Sequence, residues 1–243
     1  MIENKLCLNA GKTKLLIAGT SKRLDLLDEN KINVKIDNNK VKTEENEKLL
    51  GIYIQSDLKW STQIIELKKT LKKRLSAFTL IRHIAPLKIK KMLYEGIIMS
   101  VFRYCISVWG GLSKNELEDL QVIQNKAIRV VFNLPPRTHR NTMFDESGYM
   151  SIKQEIFYHT VLNIYKIKNT KQPEYLYDRL SQENIFGNIV LDKTNLTLAR
   201  NGFIYRGSMN WNSLPPDIRK LKKLKSFKTE VKKWILENVT RFP

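Results

Sequence analysis

The sequence predicts an α+β fold, with a small β-rich segment first and a mainly α-helical segment after it. Three observations predict this. Up to about residue 60, short apolar runs are separated by turn residues, as is typical of strands. From Ser61 onwards, apolar residues recur every three or four positions, as they do on amphipathic helices. The 243 residues are 42% hydrophobic and 28% charged, which allows one large or two small cores and excludes wholesale disorder.

The strands come first. Apolar runs at 6–8 and 14–19 flank the turn residues Asn9-Ala10-Gly11. Apolar and polar residues alternate over 32–36 before a turn at 37–39. A further strand is predicted over 49–54, and its partner is expected to return through Leu58 and Trp60 after a turn at 55–57. This pair predicts a tight hairpin.

Two helices follow the hairpin. The first is predicted over 61–82, because one stripe is apolar while four lysines lie off it. The stripe consists of Ile64, Leu67, Leu71, Leu75, Phe78 and Ile81. The second is expected to begin at Pro86 and to end at Gly110-Gly111, with apolar residues on most sides and therefore burial.

Two capping boxes mark the starts of later helices. In each, a serine hydroxyl and the side chain three residues later satisfy the free amides of the first turn. Ser113 with Glu116 predicts a helix to about 131, and Ser151 with Gln154 predicts one to about 168. A short helix is predicted over 173–180, and a last helix over 226–239. The segment 184–207 is interpreted as irregular or weakly β.

The chain is strongly basic, with 43 Lys and Arg against 24 Asp and Glu, a formal net charge of +19. Two windows hold most of this excess: 61–91 has nine basic residues and one acidic, and 219–233 has eight and one. A polyanion is the natural partner, because each neutralised phosphate releases a condensed counterion. A solvated helix face is the alternative interpretation, and an anionic membrane surface is a third.

Several classes of protein are disfavoured. The longest apolar stretch, 92–109, contains Glu95 and Arg103 and is too short for a clean membrane span. No secretory leader is evident, and two cysteines are too few for a disulfide framework, which predicts a reducing intracellular compartment, nucleus or cytoplasm. The three histidines have no cysteines at zinc-ligand spacing, and no serine lies in a nucleophile-elbow motif.

Three groups of motifs occur in order along the chain. Near the start is Leu6-Cys7-Leu8-Asn9-Ala10-Gly11-Lys12-Thr13-Lys14, and then Leu49-Leu50-Gly51-Ile52-Tyr53-Ile54 with Leu58-Lys59-Trp60. Helical motifs follow at 102–110 and 120–129, with Tyr-Cys-x-x-Trp-Gly and Gln-x-Lys-Ala-x-Arg patterns. The last is Trp211-Asn212-Ser213-Leu214-Pro215-Pro216, followed by Ser226-Phe227-Lys228. Together they resemble the C-terminal part of the reverse transcriptase of non-LTR retrotransposons, the jockey-like group in particular.

The resemblance implies a division into three segments. Residues 1–60 would be a palm remnant with motif D and the motif E primer grip, 61–134 a helical thumb, and 135–243 a post-thumb region with a basic C-terminal helix. It implies that Lys12 approaches the incoming triphosphate; the alternative is a surface lysine at a strand end. It also implies that Leu50, Gly51 and Tyr53 line the primer grip; the alternative for Gly51 is a strand glycine at a bulge.

The catalytic residues of such a polymerase are missing from this chain. Two-metal nucleotidyl transfer needs clustered carboxylates, and the nine aspartates are scattered singly with no Asp-Asp pair. The resemblance implies that the fingers and most of the palm lie before Met1. We therefore expect no enzyme activity from the chain alone and no cofactor within it, since Mg²⁺ would belong to the missing catalytic palm.

The predicted role is binding to RNA, DNA or their hybrid. The nucleic-acid-binding residues are predicted to be Lys68, Lys69, Lys72, Lys73, Arg74, Arg219, Lys220, Lys222 and Lys223. The alternative is a free-standing basic helical adaptor that binds an acidic protein partner or RNA. The tryptophans could stack on bases, but Trp109 and Trp211 are predicted to be core residues.

Overall fold

A computed structural model describes residues 9–26, 32–36 and 39–238 of the chain. The predicted strand at 6–8 and the very end of the last predicted helix lie outside the described residues. The chain divides into two compact units, Met1–Ile65 and Glu66–Pro243. Strands and helices are both present and helices dominate, so the prediction of a mixed fold of helix and strand is confirmed. The palm, thumb and post-thumb assignments stay predictions.

In the described part of the first unit, short strands form three two-stranded pairings. β1 (Leu15–Leu16) lies parallel to β4 (Thr43–Glu44), and β2 (Lys35–Ile36) lies antiparallel to β3 (Asn39–Lys40). A short helix, α1 (Ser21–Leu24), follows β1. Lys14 forms an ion pair with Glu44, which raises the pKa of Lys14 and lowers that of Glu44, although both side chains are exposed.

The longest strand pair is a hairpin, but the predicted position of its turn is wrong. β5 (Asn46–Leu49) pairs with β6 (Ile52–Gln55), so the chain reverses at Leu50-Gly51 and not at 55–57. Both turn residues have positive φ, 48° and 85°, as in the two-residue turns that match the twist of a hairpin. Gly51 therefore serves the turn and is not a glycine within a continuous strand.

The side chains of the hairpin also fix the start of α2 (Ser61–Leu80). The Gln55 carboxamide oxygen accepts hydrogen bonds from the Thr62 amide at 2.8 Å and from the Ser61 hydroxyl at 3.2 Å. The bond from Thr62 satisfies one of the backbone amides that the first turn of a helix leaves without an intrahelical partner. The predicted helix from Ser61 is confirmed.

The second unit is helical. α6 (Lys114–Phe132) and α8 (Ile152–Thr170) begin with the two predicted capping boxes, both formed, and α9 (Glu174–Leu180) is the predicted short helix. The remaining helices are α3 (Leu87–Leu93), α4 (Ser100–Arg103), α5 (Ile106–Trp109), α7 (Arg140–Ser147), α10 (Thr197–Asn201), α11 (Phe203–Asn212), α12 (Pro216–Arg219) and α13 (Leu224–Glu237). Among the described helices, none is both long and apolar enough to cross a membrane.

Two predictions about this unit are wrong. The single helix expected from Pro86 to Gly110 is interrupted, because α3 continues as a π-helix over Tyr94–Met99 and Cys105 adopts a left-handed conformation with φ 51° between α4 and α5. The segment 184–207, expected to be irregular or weakly β, is irregular only in its first half and then contains α10 and the first half of α11.

Helix α8 forms the centre of the core of this unit. It packs against α5, α6, α11 and α13, and most of its side chains are buried. Tyr165 of α8 stacks on Phe227 with ring centroids 4.1 Å apart, and Trp211 also stacks on Phe227, with ring centroids 5.9 Å apart. Trp109 is 0% and Trp211 3% exposed, so the prediction that both are core residues is confirmed.

The two glycines that follow α5 lie where other residues would not fit. A Cβ at Gly111 would lie 2.2 Å from the carbonyl oxygen of Asn201, and one at Gly110 would lie 2.7 Å from Cγ2 of Ile156. Atoms this close repel strongly, and one of these neighbours is backbone that cannot turn away. The end of α5 is therefore packed directly against α8 and the end of α10.

A cluster of charges around the buried Glu155 joins α4 to α8. Arg103 donates two hydrogen bonds to the Glu155 carboxylate, at 2.7 and 3.0 Å, and a third to Glu95. His159 Nε2 lies 3.3 Å from the same carboxylate. Burial raises the pKa of Glu155, but His159 and Arg103 stabilise its charged form more strongly, so its pKa is below its ordinary value. This cluster fastens α4 to α8.

Candidate nucleic-acid interface

The solvent-facing side of α2 in the second unit carries exposed basic side chains. Leu67, Leu71 and Leu75 are at most 9% exposed and form the buried stripe. Lys69, Lys72 and Lys73 lie off this stripe and are exposed. Within the part of the chain that the structure describes, Lys72 and Lys73 have no acidic partner, and Lys69 has only a 3.7 Å contact with Glu66. These three ammonium groups, the α2 lysine face, are available to an anion.

The other two predicted residues of α2 are already engaged. Lys68 donates to Asp119 of α6 at 2.6 Å, so its charge is largely neutralised by an ion pair between helices. Arg74 donates to the carbonyl oxygen of Ile97 at 2.9 Å, which directs part of its guanidinium to the protein backbone. Both residues therefore have structural roles that their positions in the sequence do not reveal.

The basic window around α3 also contributes less free charge than its composition indicates. Lys90 is only 3% exposed, and its ammonium group donates to the Arg82 carbonyl oxygen at 3.2 Å and to Asn133 Oδ1 at 3.0 Å. Lys91 lies over the ring of Phe132, 5.3 Å from its centroid. Lys90 holds the end of α2 against the end of α6 and cannot contact a ligand.

A second exposed group of lysines lies at the C-terminal end of the described chain. Lys220, Lys222 and Lys223 are exposed in the segment between α12 and α13, and none has an acidic partner among the described residues. Along α13, three more exposed lysines recur at three- and four-residue spacing, beside the stripe of buried Phe227, Val231 and Ile235. These are Lys225, Lys228 and Lys232. The six residues are called the C-terminal lysine face below.

Sequence reasoning did not single out the three lysines of α13 as site residues. The signal was present, because three- and four-residue spacing puts them on one stripe of a helix, beside its apolar stripe. Arg219, which sequence reasoning did name, has contacts inside the protein. Arg219 donates to the Gly187 carbonyl oxygen at 2.6 Å and to Asn188 Oδ1 at 3.0 Å, and so fastens a loop.

Two arginines of the helical second unit are directed towards other groups of the protein. Arg103 belongs to the charge cluster around Glu155 described above. Arg206 of α11 donates to the Ser107 carbonyl oxygen at 2.6 Å, while burial lowers its pKa to about 10. The Arg206 guanidinium is therefore a structural group and not part of the basic surface.

In the first unit, the predicted motif D and primer-grip residues lie on separate elements. Lys12 is exposed at the end of a 3₁₀ turn, Ala10–Lys12, where its amide donates to Asn9 Oδ1 at 3.1 Å. Leu50 and Gly51 form the hairpin turn, and Leu50 is 84% exposed. Tyr53 is half-buried on β6, with its amide bonded to Gln63 Oε1 at 3.0 Å.

The side chain of Tyr53 faces a basic residue of the neighbouring strand. Lys48, its partner in the strand register, places its ammonium group 5.3 Å from the centroid of the Tyr53 ring. An aromatic face beside a cation can contact a base and a phosphate together. The hairpin thus offers a contact point, while its role as a primer grip stays a prediction.

Metal ligands do not cluster in the described residues: no group of three or more His, Cys, Asp or Glu side chains is placed to hold an ion. Comparisons with protein-family models, curated proteins and solved structures find no match to this chain. The assignment of a function therefore depends on the exposed charges and on the motifs.

Proposed function

We propose that this chain is a nucleic-acid-binding fragment of a reverse transcriptase of the non-LTR retrotransposon class, and that it binds RNA, DNA or their hybrid. The observation that carries the proposal is the separation of the basic residues into two groups. Lys68, Lys90, Arg103, Arg206 and Arg219 are used inside the protein. Those of the α2 and C-terminal lysine faces are exposed and lack strong acidic partners among the described residues.

Lysines without an acidic partner gain more free energy from a phosphate backbone than paired lysines do. A lysine with a carboxylate partner has little to gain from a phosphate, because the existing ion pair must be broken first. A solvated lysine that contacts a phosphate releases a condensed counterion, which is the main source of sequence-independent affinity for nucleic acids. Lysine is suited to this task because it behaves as a flexible point charge.

The sequence motifs that resemble a reverse transcriptase also support the proposed function. The hairpin β5–β6 carries the Leu-Gly-x-Tyr sequence that resembles the primer grip, and the helices that follow carry the thumb-like patterns. The chain has no Asp-Asp pair to hold two metal ions, so we do not propose polymerase activity for it alone. The alternative, an adaptor for an acidic protein, uses the same lysines but does not account for these motifs.

The proposal is tested by titrating the purified chain into labelled RNA, DNA and RNA–DNA hybrid of about 20 nucleotides, longer than most single-module binding sites. We expect binding to at least one of them, with log Kd rising linearly with log salt. A primer-extension assay with Mg²⁺ or Mn²⁺ is expected to show no incorporation of deoxynucleotides. Incorporation that survives repurification would contradict the fragment assignment, and absence of binding to every ligand would contradict the proposed function.

A further inference from the structure

A short loop between α9 and α10 holds two large apolar side chains in solvent. Ile185 is 94% and Phe186 73% exposed at its tip, and they are neighbours in the chain. Single exposed apolar residues are common on proteins, but two successive large ones at the tip of a loop put much apolar surface in solvent at one place. We call residues 182–190 the tip loop.

The backbone of the tip loop is held in one shape by its own hydrogen bonds. Asn184 Oδ1 accepts from the amides of Phe186 at 3.0 Å and Asn188 at 3.1 Å. The Asn184 amide donates to the Asn188 carbonyl oxygen at 2.9 Å, and Gly187 takes the positive φ of 69° that the reversal requires. The two side chains are therefore exposed by a specified turn.

Residues from other elements support the loop from below. Asn212 of α11 donates to the Ile189 carbonyl oxygen at 2.9 Å and accepts from the Ile189 amide at 2.8 Å, while the Ile189 side chain is 2% exposed. Arg219 of α12 binds the loop at Gly187 and Asn188. A loop braced from two helices loses little conformational entropy when its tip contacts a partner.

The bracing by Arg219 also places the tip loop beside the C-terminal lysine face. Lys220 follows Arg219 directly, and Lys222 and Lys223 continue the same exposed segment. Two acidic residues near the loop are paired: Glu183 with Lys168 at 2.5 Å, and Asp192 with Arg179. Asp217 of α12 is exposed and is the remaining acidic residue beside Arg219. Because these two pairs are neutral, the exposed positive charges that follow the bracing Arg219 are those of Lys220, Lys222 and Lys223.

We propose that Phe186, with Ile185, packs against the bases of a nucleic acid whose phosphates contact Lys220, Lys222 and Lys223. This inference rests on the proposed function and adds to it the part of the ligand that the tip loop recognises. Apolar side chains that insert at base steps, and aromatic rings that stack on unpaired bases, are both used by proteins with basic surroundings. The charge of the segment after Arg219 matches the phosphate backbone that flanks such bases.

The basic stripe along α13 favours this partner over a lipid surface. Lys225, Lys228 and Lys232 extend the charge beyond the tip along more than one helical turn, as suits a strand of successive phosphates. A membrane surface would instead require the two apolar side chains and the lysines to lie in one plane. An anionic vesicle is therefore included below as a competing ligand.

The test compares Phe186→Ala and Ile185→Ala with the conservative Phe186→Tyr and with Tyr175→Ala. Tyr175 is 69% exposed on α9 and serves as a matched control for removal of an exposed aromatic ring. The probes are RNA, DNA and hybrid oligonucleotides that carry 2-aminopurine, whose fluorescence reports whether a base is stacked. Vesicles of phosphatidylcholine with phosphatidylserine form the second arm.

We expect Phe186→Ala to weaken nucleic-acid binding by about 5-fold or more. The change in 2-aminopurine fluorescence that accompanies binding of the parent chain should be lost. The dependence of log Kd on log salt should not change, because no phosphate contact is removed. Phe186→Tyr and Tyr175→Ala should behave like the parent chain. Changing Lys220, Lys222 and Lys223 to glutamine should instead lower the salt dependence.

Each other outcome overturns the inference in a recognisable way. If Phe186→Ala binds and responds as the parent does, the tip loop does not contact bases, while the proposed function stands. If Phe186→Ala loses binding to vesicles and not to nucleic acid, the tip loop is a membrane contact. If the parent chain itself binds no nucleic acid in a salt-dependent way, the proposed function and this inference fail together.

Discussion

Replacing Lys69, Lys72 and Lys73 with glutamine is expected to lower the salt dependence of nucleic-acid binding by a large amount. If all three lysines contact a duplex, the slope of log affinity against log salt should fall in magnitude by about 3, at roughly 0.9 for each phosphate on B-form DNA. On a single strand the change should be about 2, at roughly 0.7 for each contact. Lys68 is left unchanged because its ion pair with Asp119 supports the packing of α2 on α6.

The folding of this triple variant should be nearly that of the parent. Substitutions of exposed side chains usually change the free energy of unfolding by about 0.5 kcal/mol or less. A matched control changes Lys153, Lys166 and Lys171, which lie on α8 or directly after it, to glutamine and removes the same net charge. The measurement is a titration at several salt concentrations, with thermal unfolding as the check on folding.

One outcome would contradict the role of α2 in nucleic-acid binding. If the triple variant keeps the slope of the parent on hybrid, duplex and single strand alike, the α2 lysine face is only solvated. The interface would then be confined to the C-terminal lysine face. If the α8 control lowers the slope as much as the triple variant does, the effect is one of net charge and not of position.

Glu155→Gln is expected to give the largest loss of stability among substitutions of charged residues. Its side chain is 2% exposed, and it accepts two hydrogen bonds from Arg103. Glutamine keeps the shape but leaves a half-buried guanidinium with Glu95 as its remaining acidic partner. Breaking a buried ion pair in this way costs about 3 kcal/mol, the lower end of the usual range because Arg103 is partly exposed.

The control for this prediction is an exposed ion pair of the same unit. Glu118 lies 3.4 Å from Arg140 with 60% of its side chain exposed, so Glu118→Gln should cost about 0.5 kcal/mol or less. Chemical denaturation of both variants at neutral pH measures the difference. Equal losses for the two variants would contradict the structural role assigned to Glu155.

The pH dependence gives a second readout for the same residue. Because the pKa of Glu155 is lowered in the folded protein, its contribution to stability is fully present above the unfolded value of about 4.3. That contribution is lost as the pH falls further, through the lower pKa of the folded state. The gap in stability between parent and Glu155→Gln should therefore narrow in acid, and a gap that stays constant below pH 4 would contradict this assignment.

Local patterns were sufficient to predict much of the helical part from the sequence. The capping boxes of α6 and α8 are formed between residues three positions apart, so the sequence contains both partners. The stripe of α2 likewise depends on spacing alone. In the hairpin, the turn was misplaced because leucine is an unusual residue at a position with φ 48°, and the expected Asn-Gly signal is absent.

The remaining differences depend on contacts between distant parts of the chain. Helix α11 contains Gly207, a poor helix former, but a Cβ at this position would lie 2.9 Å from Ile164 Cδ1, so close packing on α8 requires the glycine. The break at Cys105 has no glycine or proline to signal it. The engagement of Lys68 with Asp119 joins residues 51 positions apart, which a count of charges in windows cannot detect.

The central claim is that the exposed lysines form the nucleic-acid interface, and chemical footprinting tests it most directly. Lysines of the whole chain are acetylated with and without RNA–DNA hybrid, and the modification of each is measured by mass spectrometry. The account predicts protection of Lys72, Lys73, Lys220, Lys222 and Lys223, with Lys153 and Lys171 unchanged. If hybrid is bound and the modification of all seven lysines is the same as without hybrid, the claim is contradicted.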